Sequence, residues 1–237
     1  MKYKEIKAIS FDADGTLLGT FTEGPRGFEN FFLKAAKSHG HEITLEVLDP
    51  ILRKLKEDVA HRRKEGWKPH ASAKNSRLHW LWFYEMVFAA LHIPHPKEKA
   101  LELIGRFERG EFTSLYSDAL PILSSFATKN LPMMLVSNYG PLLETFLTKF
   151  EISKFFKAIL ISGVVGIEKP DPELYRKGAV ELGLSPFQIL HIGNDLEEDY
   201  YAAKRAGFEA ILLDRDELYQ TQDIPKIRTL LELENLL

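Results

Sequence analysis

Asp12 and Asp14 stand two residues apart after a largely apolar run, residues 6–11, and Gly15 follows at once. Residues two apart at the end of a strand face the same side of the ribbon. Two carboxylates placed this way repel each other unless a cation lies between them. A divalent metal is the usual answer, and Mg²⁺ prefers oxygen ligands. Gly15 permits a sharp backbone turn directly after the pair. An ordinary turn rich in Asp and Gly would show the same residue types, so the pair has to be weighed with the rest of the chain. Three other places put polar residues after an apolar run or beside a proline: Ser137 with Asn138, Lys169 in Glu168-Lys169-Pro170-Asp171-Pro172, and residues 193–199, which hold Asn194, Asp195 and Asp199. Alone, each has a plain structural reading: a turn-starting Ser-Asn pair, an exposed loop lysine, and a helix start made acidic by its dipole.

The elements that would position these residues follow from periodicity. A buried strand is predicted to end at Asp12, then a polar loop over 19–27 with three glycines and Pro25. Phe28, Phe31, Phe32 and Ala35 fall on one helical face. Leu45, Leu48, Leu52, Leu55 and Val59 continue that period after Thr44, a suitable N-cap, although Pro50 could mark the true helix start. The basic stretch 60–70, with Lys74 and Arg77 beyond it, reads as a solvated loop or as a lure for an anionic substrate. The aromatic segment 79–88, with Leu91 on the same face, reads as a core helix, with an exposed aromatic substrate platform as the alternative. His92 and His95 sit among prolines with no third ligand near, so a loop is expected there rather than a metal site. A further helix is expected over 97–111, and no strand between 28 and 111. From residue 117 the pattern changes. Apolar strands at 131–138, 158–162, 188–193 and 209–213 alternate with helices at 120–128, 141–150, 172–182 and 198–206, and a closing helix is expected over 225–236. Such alternation predicts an α/β fold with a doubly wound parallel sheet, interrupted after its first strand by an all-helical insertion. Active sites in these sheets lie beyond the carboxyl ends of the strands.

Composition narrows the function classes. The 237 residues are 45% hydrophobic and 27% charged, as in a globular protein, and the net charge of −3 gives no reason to expect nucleic acid or an anionic membrane as partner. No cysteine is present, which excludes disulfides, thiolate zinc sites and cysteine nucleophiles, and suits a cytoplasmic location. Residues 1–5 lack the apolar run of a signal peptide, and no apolar stretch is long enough to span a bilayer.

Asp12-Ala13-Asp14-Gly15-Thr16 resembles the first motif, DxDGT, of the haloacid dehalogenase superfamily. Ser137, Lys169 with its proline, and the acidic cluster match that superfamily's second, third and fourth motifs in order, each at a predicted strand end. The fourth departs in one respect: Gly193 is followed by Asn194 where the family has Asp, with Asp195 next and Asp199 as the second acid. The resemblance covers the whole chain and is similar in arrangement to the C1-cap subgroup, which includes phosphoglycolate phosphatase-like and nucleotidase-like enzymes. It implies a core made of residues 1–19 and 113–237 with a helical cap over 20–112. It further implies Mg²⁺-dependent hydrolysis of a small phosphorylated metabolite. Asp12 would be the nucleophile that becomes an aspartyl-phosphate, and Asp14 the general acid and base. Lys169, Ser137 and Asn138 would hold the phosphate; Asp12, Asp14, Asn194, Asp195 and Asp199 would serve the metal. Dehalogenases of the superfamily lack an acid two residues after the nucleophile, so Asp14 argues against dehalogenation. A phosphosugar mutase needs the same two aspartates, and a non-enzymatic binding protein on the same fold is the rival from another class.

Overall fold

The computed structural model describes residues 3–20 and 26–236. Residues 21–25, the middle of the polar loop expected over 19–27, lie outside the described residues. Strand β1 (Ala8–Phe11) is buried along its whole length, as its apolar sequence requires of a central strand. After it come β2 (Leu18–Thr20), α1 (Gly27–Ser38), α2 (Leu45–Lys64), α3 (Ala73–Ala90), α4 (Pro96–Glu108) and β3 (Thr113–Leu115). The second half of the chain runs α5 (Ala119–Thr128), β4 (Met133–Ser137), α6 (Leu142–Lys149), β5 (Phe156–Ile161), α7 (Ser162–Val165), α8 (Pro172–Leu182), β6 (Ile189–Gly193), α9 (Ala202–Ala206), β7 (Glu209–Leu213) and β8 (Lys226–Ile227). Among the described residues no helix is long and apolar enough to cross a membrane.

The main sheet has the order β5-β4-β1-β6-β7-β8, parallel throughout. The chain builds outward from β1 on one side, through β4 to β5, then returns to the other side of β1 with β6. This reversal puts a topological switch point at the carboxyl end of β1, where such sheets place their ligands. One face of the sheet packs Ile9, Phe11, Leu135 and Ile192 against α5 and α6. The other packs Ala8, Met134 and Ile189 against α8 and α9. Helices α1 to α4 close round an aromatic core of their own, with Phe32, Val87 and Phe88 fully buried. Burying each such large side chain contributes roughly 1.5–3 kcal/mol, so the insertion carries its own source of stability.

The structure corrects the sequence reading in four places. Pro50 does not start α2 but lies inside it. Leu48 and Leu52, one turn apart, are both buried, and the Thr44 carbonyl accepts from Val47 and Leu48 N–H (3.2 and 3.1 Å). Burial of Leu48 outweighs the one backbone bond that proline removes. The first part of the basic stretch is not a loop: residues 61–64 form the last turn of α2, where a helix favours cations, and Arg62 stacks on Trp82 at 4.3 Å. Two strands went unpredicted, β2 and β3, which pair antiparallel from Leu18–Leu115 to Thr20–Thr113; three residues each is too short for a period to show. The expected closing helix is instead β8 followed by a 3₁₀ turn, Leu230–Asn235. The β7 edge needs partners for its peptide groups, and Leu212 and Asp214 N–H donate to Pro225 and Ile227 carbonyls (3.0 and 2.8 Å).

The helical insertion also carries an acid-sensitive element. The His70 and His79 rings meet edge to face at 5.3 Å between α2 and α3. Burial, then the neighbouring His79 and Arg63, pushes His70 down to about 3; burial, then Arg63 and Arg62, pushes His79 down to about 4. The unfolded chain takes up protons at these imidazoles below about pH 6.5, while the folded chain resists until pH 3–4. Their contribution is therefore complete above pH 6.5 and lost as pH falls, by about 1.4 kcal/mol per pH unit for each imidazole. Urea denaturation at pH 7.5 and pH 5 should show a loss of up to ~4 kcal/mol, which His70→Gln/His79→Gln removes. A variant with the wild-type pH slope would show that other groups set it.

Candidate active site

Strands β4, β1 and β6 end side by side. Phe11 pairs with Leu135 on one side and Ile192 on the other, and Asp12 N–H continues the ladder to the Ile192 carbonyl at 2.9 Å. This register brings Asp12, Ser137 and Asn194 to one rim. Beyond Asp12 the Ala13 carbonyl gathers the N–H groups of Thr16, Leu17 and Leu18 (3.3, 2.9 and 2.8 Å), which folds the loop back tightly. Gly15 takes φ +81°, and a Cβ there would run into the Asn194 amide. Glycine is thus required both for its backbone and for its lack of volume. The Thr16 hydroxyl donates to Asp12 Oδ2 at 3.2 Å and stands 3.4 Å from Asn194 Oδ1, tying the first loop to the one after β6.

Lys169 is the cationic centre. Its ammonium lies 2.7 Å from Asp12 Oδ1 and 2.5 Å from Asp199 Oδ1, with Lys169 at 2%, Asp12 at 4% and Asp199 at 1% exposure. The Asn138 side chain holds the lysine's backbone from both ends: Oδ1 accepts from Lys169 N–H at 2.7 Å and Nδ2 donates to its carbonyl at 2.9 Å. Asn138, expected to hold phosphate, spends its side chain on the lysine loop. All eight residues singled out in the sequence line one cavity of about 680 Å³ between the sheet edge and helices α3 and α4.

The acidic cluster follows β6 directly. After β6 the chain turns as a π-helix, Leu196–Tyr201, with Asp199 and Tyr200 N–H both donating to the Asp195 carbonyl at 3.1 Å. This wider turn aims Asp199 inward. Gly193 makes room for it, since a Cβ there would collide with the Asp199 carboxyl. Asp199 Oδ2 accepts from Asp195 N–H at 2.9 Å, and its Oδ1 meets Lys169 and, at 3.4 Å, His191 Nε2. Both carboxylate oxygens of Asp199 therefore carry hydrogen bonds. Asp195 Oδ1 caps the turn, accepting from Glu197 and Glu198 N–H at 2.8 and 2.7 Å. Asn194 keeps its carbonyl oxygen at the rim beside Asp12.

The charges do not balance. Burial alone would discharge Lys169, but Asp12 and Asp199 hold its ammonium well above the usual lysine range. Burial would likewise raise Asp199, yet Lys169 and His191 hold it below the usual carboxylate range. Asp12 goes the other way: burial, with Asp199 and Asp14 repelling it, outweighs Lys169 and pushes it up to about 7. Asp12 and Asp199 share one ammonium, and a further cation beside Asp12 would favour its ionised form. Among the described residues no three His, Cys, Asp or Glu side chains form a metal cage. Mg²⁺ does not ask for one, because it uses one or two carboxylates and keeps other positions for water and phosphate. The all-oxygen rim of Asp12 and Asn194 fits that ion and does not fit a soft metal.

Several residues here were not legible in the sequence. Arg63, from α2, ion-pairs with Glu198 and lies 3.5 Å from Glu168. Glu198 in turn accepts from Asn138 Nδ2 at 2.8 Å. Nearby, His70 N–H donates to Glu168 Oε2 at 2.6 Å and the Ser162 hydroxyl to the His70 carbonyl at 2.7 Å. The end of α2 is thus fastened to the loops that carry Asn138, Lys169 and Asp199. The only signal in the sequence was the basic stretch, and its partners are 105 and 135 positions away. Ser10 and His191, paired at 2.8 Å beneath Asp199, gave no signal beyond two polar residues inside apolar strands.

The chain resembles known proteins along most of its length. It is 26% identical over 213 residues to the glyceraldehyde 3-phosphate phosphatase of Methanopyrus kandleri, covering 89% of this chain and 84% of that one. Among solved structures it overlays on a magnesium-bound HAD-hydrolase, YfnB, of Bacillus subtilis with TM-score 0.71 and 19% identity, covering 98% and 99% of the two chains. It overlays on a dehalogenase with TM-score 0.68 and 20% identity, covering 99% and 98%. At this level of identity the overlays establish the fold and do not choose a chemistry. The family model for haloacid dehalogenase-like hydrolases matches residues 6–207, and this chain, with Asp12, Ser137 and Asn194 at neighbouring strand ends and Lys169 on the loop between α7 and α8, belongs to that family.

Proposed function

We propose that this hydrolase is a magnesium-dependent phosphatase that cleaves a small phosphomonoester in the cytoplasm through an aspartyl-phosphate at Asp12. The observation that carries the reading is the placement of two aspartates with separate roles, Asp12 and Asp14, beside Lys169 in one cavity. A dehalogenation has no use for the second acid, because halide leaves without a proton. The phosphatase named among the relatives supports the same choice.

A carboxylate oxygen of Asp12 attacks phosphorus, the bond to the ester oxygen breaks, and Asp14 protonates the departing alkoxide. A water then attacks phosphorus of the acyl phosphate, Asp14 takes its proton, and Asp12 is restored with release of phosphate. Lys169 and Ser137 hold the phosphoryl oxygens as charge builds on them. Asp199 positions Lys169, and Asn138 fixes the backbone on which the lysine stands. Asp12, the backbone carbonyl of Asp14, and Asn194 would hold Mg²⁺, with Asp195 behind them. When bound, the ion supplies the positive charge that keeps Asp12 ionised and offsets the phosphate dianion. The helices over residues 20–112 act as a cap that shields the reaction from bulk water. Phosphate release from p-nitrophenyl phosphate, measured with Mg²⁺ and with EDTA, tests the reading; no Mg²⁺-dependent release from this or any phosphomonoester would overturn it.

The site also divides the roles of Asn194 and Asp195. Asn194→Ala should weaken Mg²⁺ binding about tenfold, as loss of an oxygen ligand or its support does. Asp195→Ala should cost about 1 kcal/mol of stability through the lost cap and change Mg²⁺ affinity little. Calorimetric titration with Mg²⁺ alone, with urea melts of both variants, checks this; a tenfold loss of affinity in Asp195→Ala would make Asp195 a ligand.

A further inference from the structure

We propose that the cavity is built for a phosphomonoester whose leaving group carries an aromatic ring and no second anionic group. This rests on the phosphatase reading above and names its substrate class. Opposite Asp12 the cavity is walled by Trp80, Tyr84, Ile104, Phe107, Tyr139 and Leu142. These come from α3, α4, the loop after β4 and the start of α6, so cap and core enclose the leaving group between them. The aromatic walls are held by their neighbours: Trp80 meets Tyr84 at 5.6 Å, and Phe107 stacks on Tyr139 at 6.3 Å with 30° between planes. A planar ring gains from offset or edge contact with such walls.

The charges point the same way. Among the described residues lining the cavity, the cationic side chains are Lys169 and Arg77. Lys169 is already shared by Asp12 and Asp199. Arg77 is paired with Glu108 at 3.1 Å, and both are on the cavity wall. Arg63, the next cation, is paired with Glu168 and Glu198. A carboxylate on the leaving group would therefore enter a space with a surplus of acids and no uncommitted cation, at the cost of burying an unpaired charge. The same cavity, at about 680 Å³, is larger than a two- or three-carbon acid needs and within the range that encloses ring-sized ligands.

The test compares three esters that all leave as primary alkoxides: benzyl phosphate, propyl phosphate and 2-phosphoglycolate. With Mg²⁺ present, kcat/KM for benzyl phosphate should exceed both others at least tenfold, and Trp80→Leu should bring the benzyl-to-propyl ratio most of the way back to one. Equal rates, or a preference for 2-phosphoglycolate, would overturn the inference and leave the phosphatase reading standing. Calorimetric binding of the inert analogues separates the two readings. If no ester is hydrolysed but benzylphosphonate binds at least tenfold more tightly than phosphonoacetate, the cavity assignment holds and the phosphatase reading fails. If phosphonoacetate binds as well or better, the cavity assignment fails whatever the chemistry.

Discussion

Asp12→Asn should lower phosphomonoester turnover by at least ~10³-fold, as loss of a covalent nucleophile does, while the folded protein melts no earlier than wild type without Mg²⁺. The second half of this expectation comes from the charges around Lys169. Asp12 and Asp199 share one buried ammonium at 2.7 and 2.5 Å, and Asp12 is the one whose ionised form the site disfavours. Asparagine keeps the shape, can still accept from Thr16 and Lys169, and removes the surplus negative charge. A buried charge that is incompletely paired costs more than a neutral isostere. Phosphate release and thermal unfolding of the same sample check both halves. Turnover near the wild-type rate would remove Asp12 from its role; a large drop in melting temperature would mean that its charge, and not its shape, holds the rim together.

Lys169→Met should act in the opposite sense on stability. It leaves Asp12 and Asp199 facing each other in a dry site, with Asp14 near. Taking one partner from a buried ion pair costs roughly 3–5 kcal/mol, and loss of a charge on the transferring phosphoryl group should lower turnover by at least ~10²-fold. The two effects separate in the double variant Lys169→Met/Asp199→Asn. Removing the second charge should recover much of the stability, because the residues act on one another and their effects do not add, but none of the activity. Denaturant melts of the wild type, both single variants and the double variant measure this coupling. Additive losses would show that Lys169 and Asp199 are not a unit. Lys169→Arg should rescue neither property fully, since the guanidinium fork does not fit a slot shaped for a single ammonium between two carboxylates.

What could be read from the sequence was local or periodic. The strand leading to Asp12, the alternation of strands and helices after residue 117, and α8 between Pro172 and Leu182 were all visible, because burial on a sheet or a helix face leaves a period. The four polar segments could be ordered because each follows a strand, and a parallel sheet puts strand ends on one side. Elements failed where the deciding contact was distant. β8 became a strand because β7 had an open edge, and β2 and β3 form only as each other's partners. Pro50 stayed inside α2 because Leu48 is buried.

The same division holds in the site. Its inventory of residues is local information: Asp12 and Asp14 next to Gly15, Lys169 beside its prolines, Asn194 after Gly193. Their duties depend on what they meet across the sheet. In sequence, Asp199 and Asp195 are two acids of one cluster; in the fold, a π-turn sends Asp199 to Lys169 and leaves Asp195 as a cap. In sequence, Arg63 is one charge in a basic stretch; in the fold, it reaches Glu198, 135 positions on, and joins the cap helices to the lysine loop. The sequence by itself therefore determined the α/β class, the helical insertion and the acids, lysine and hydroxyl available for chemistry, because strand and helix periods and adjacent residues are short-range properties. Only the tertiary structure decided which acid faces the ammonium, which carbonyl oxygen remains at the rim, and which side chains line the cavity, because Coulomb interactions and burial depend on distance in space and not on separation along the chain.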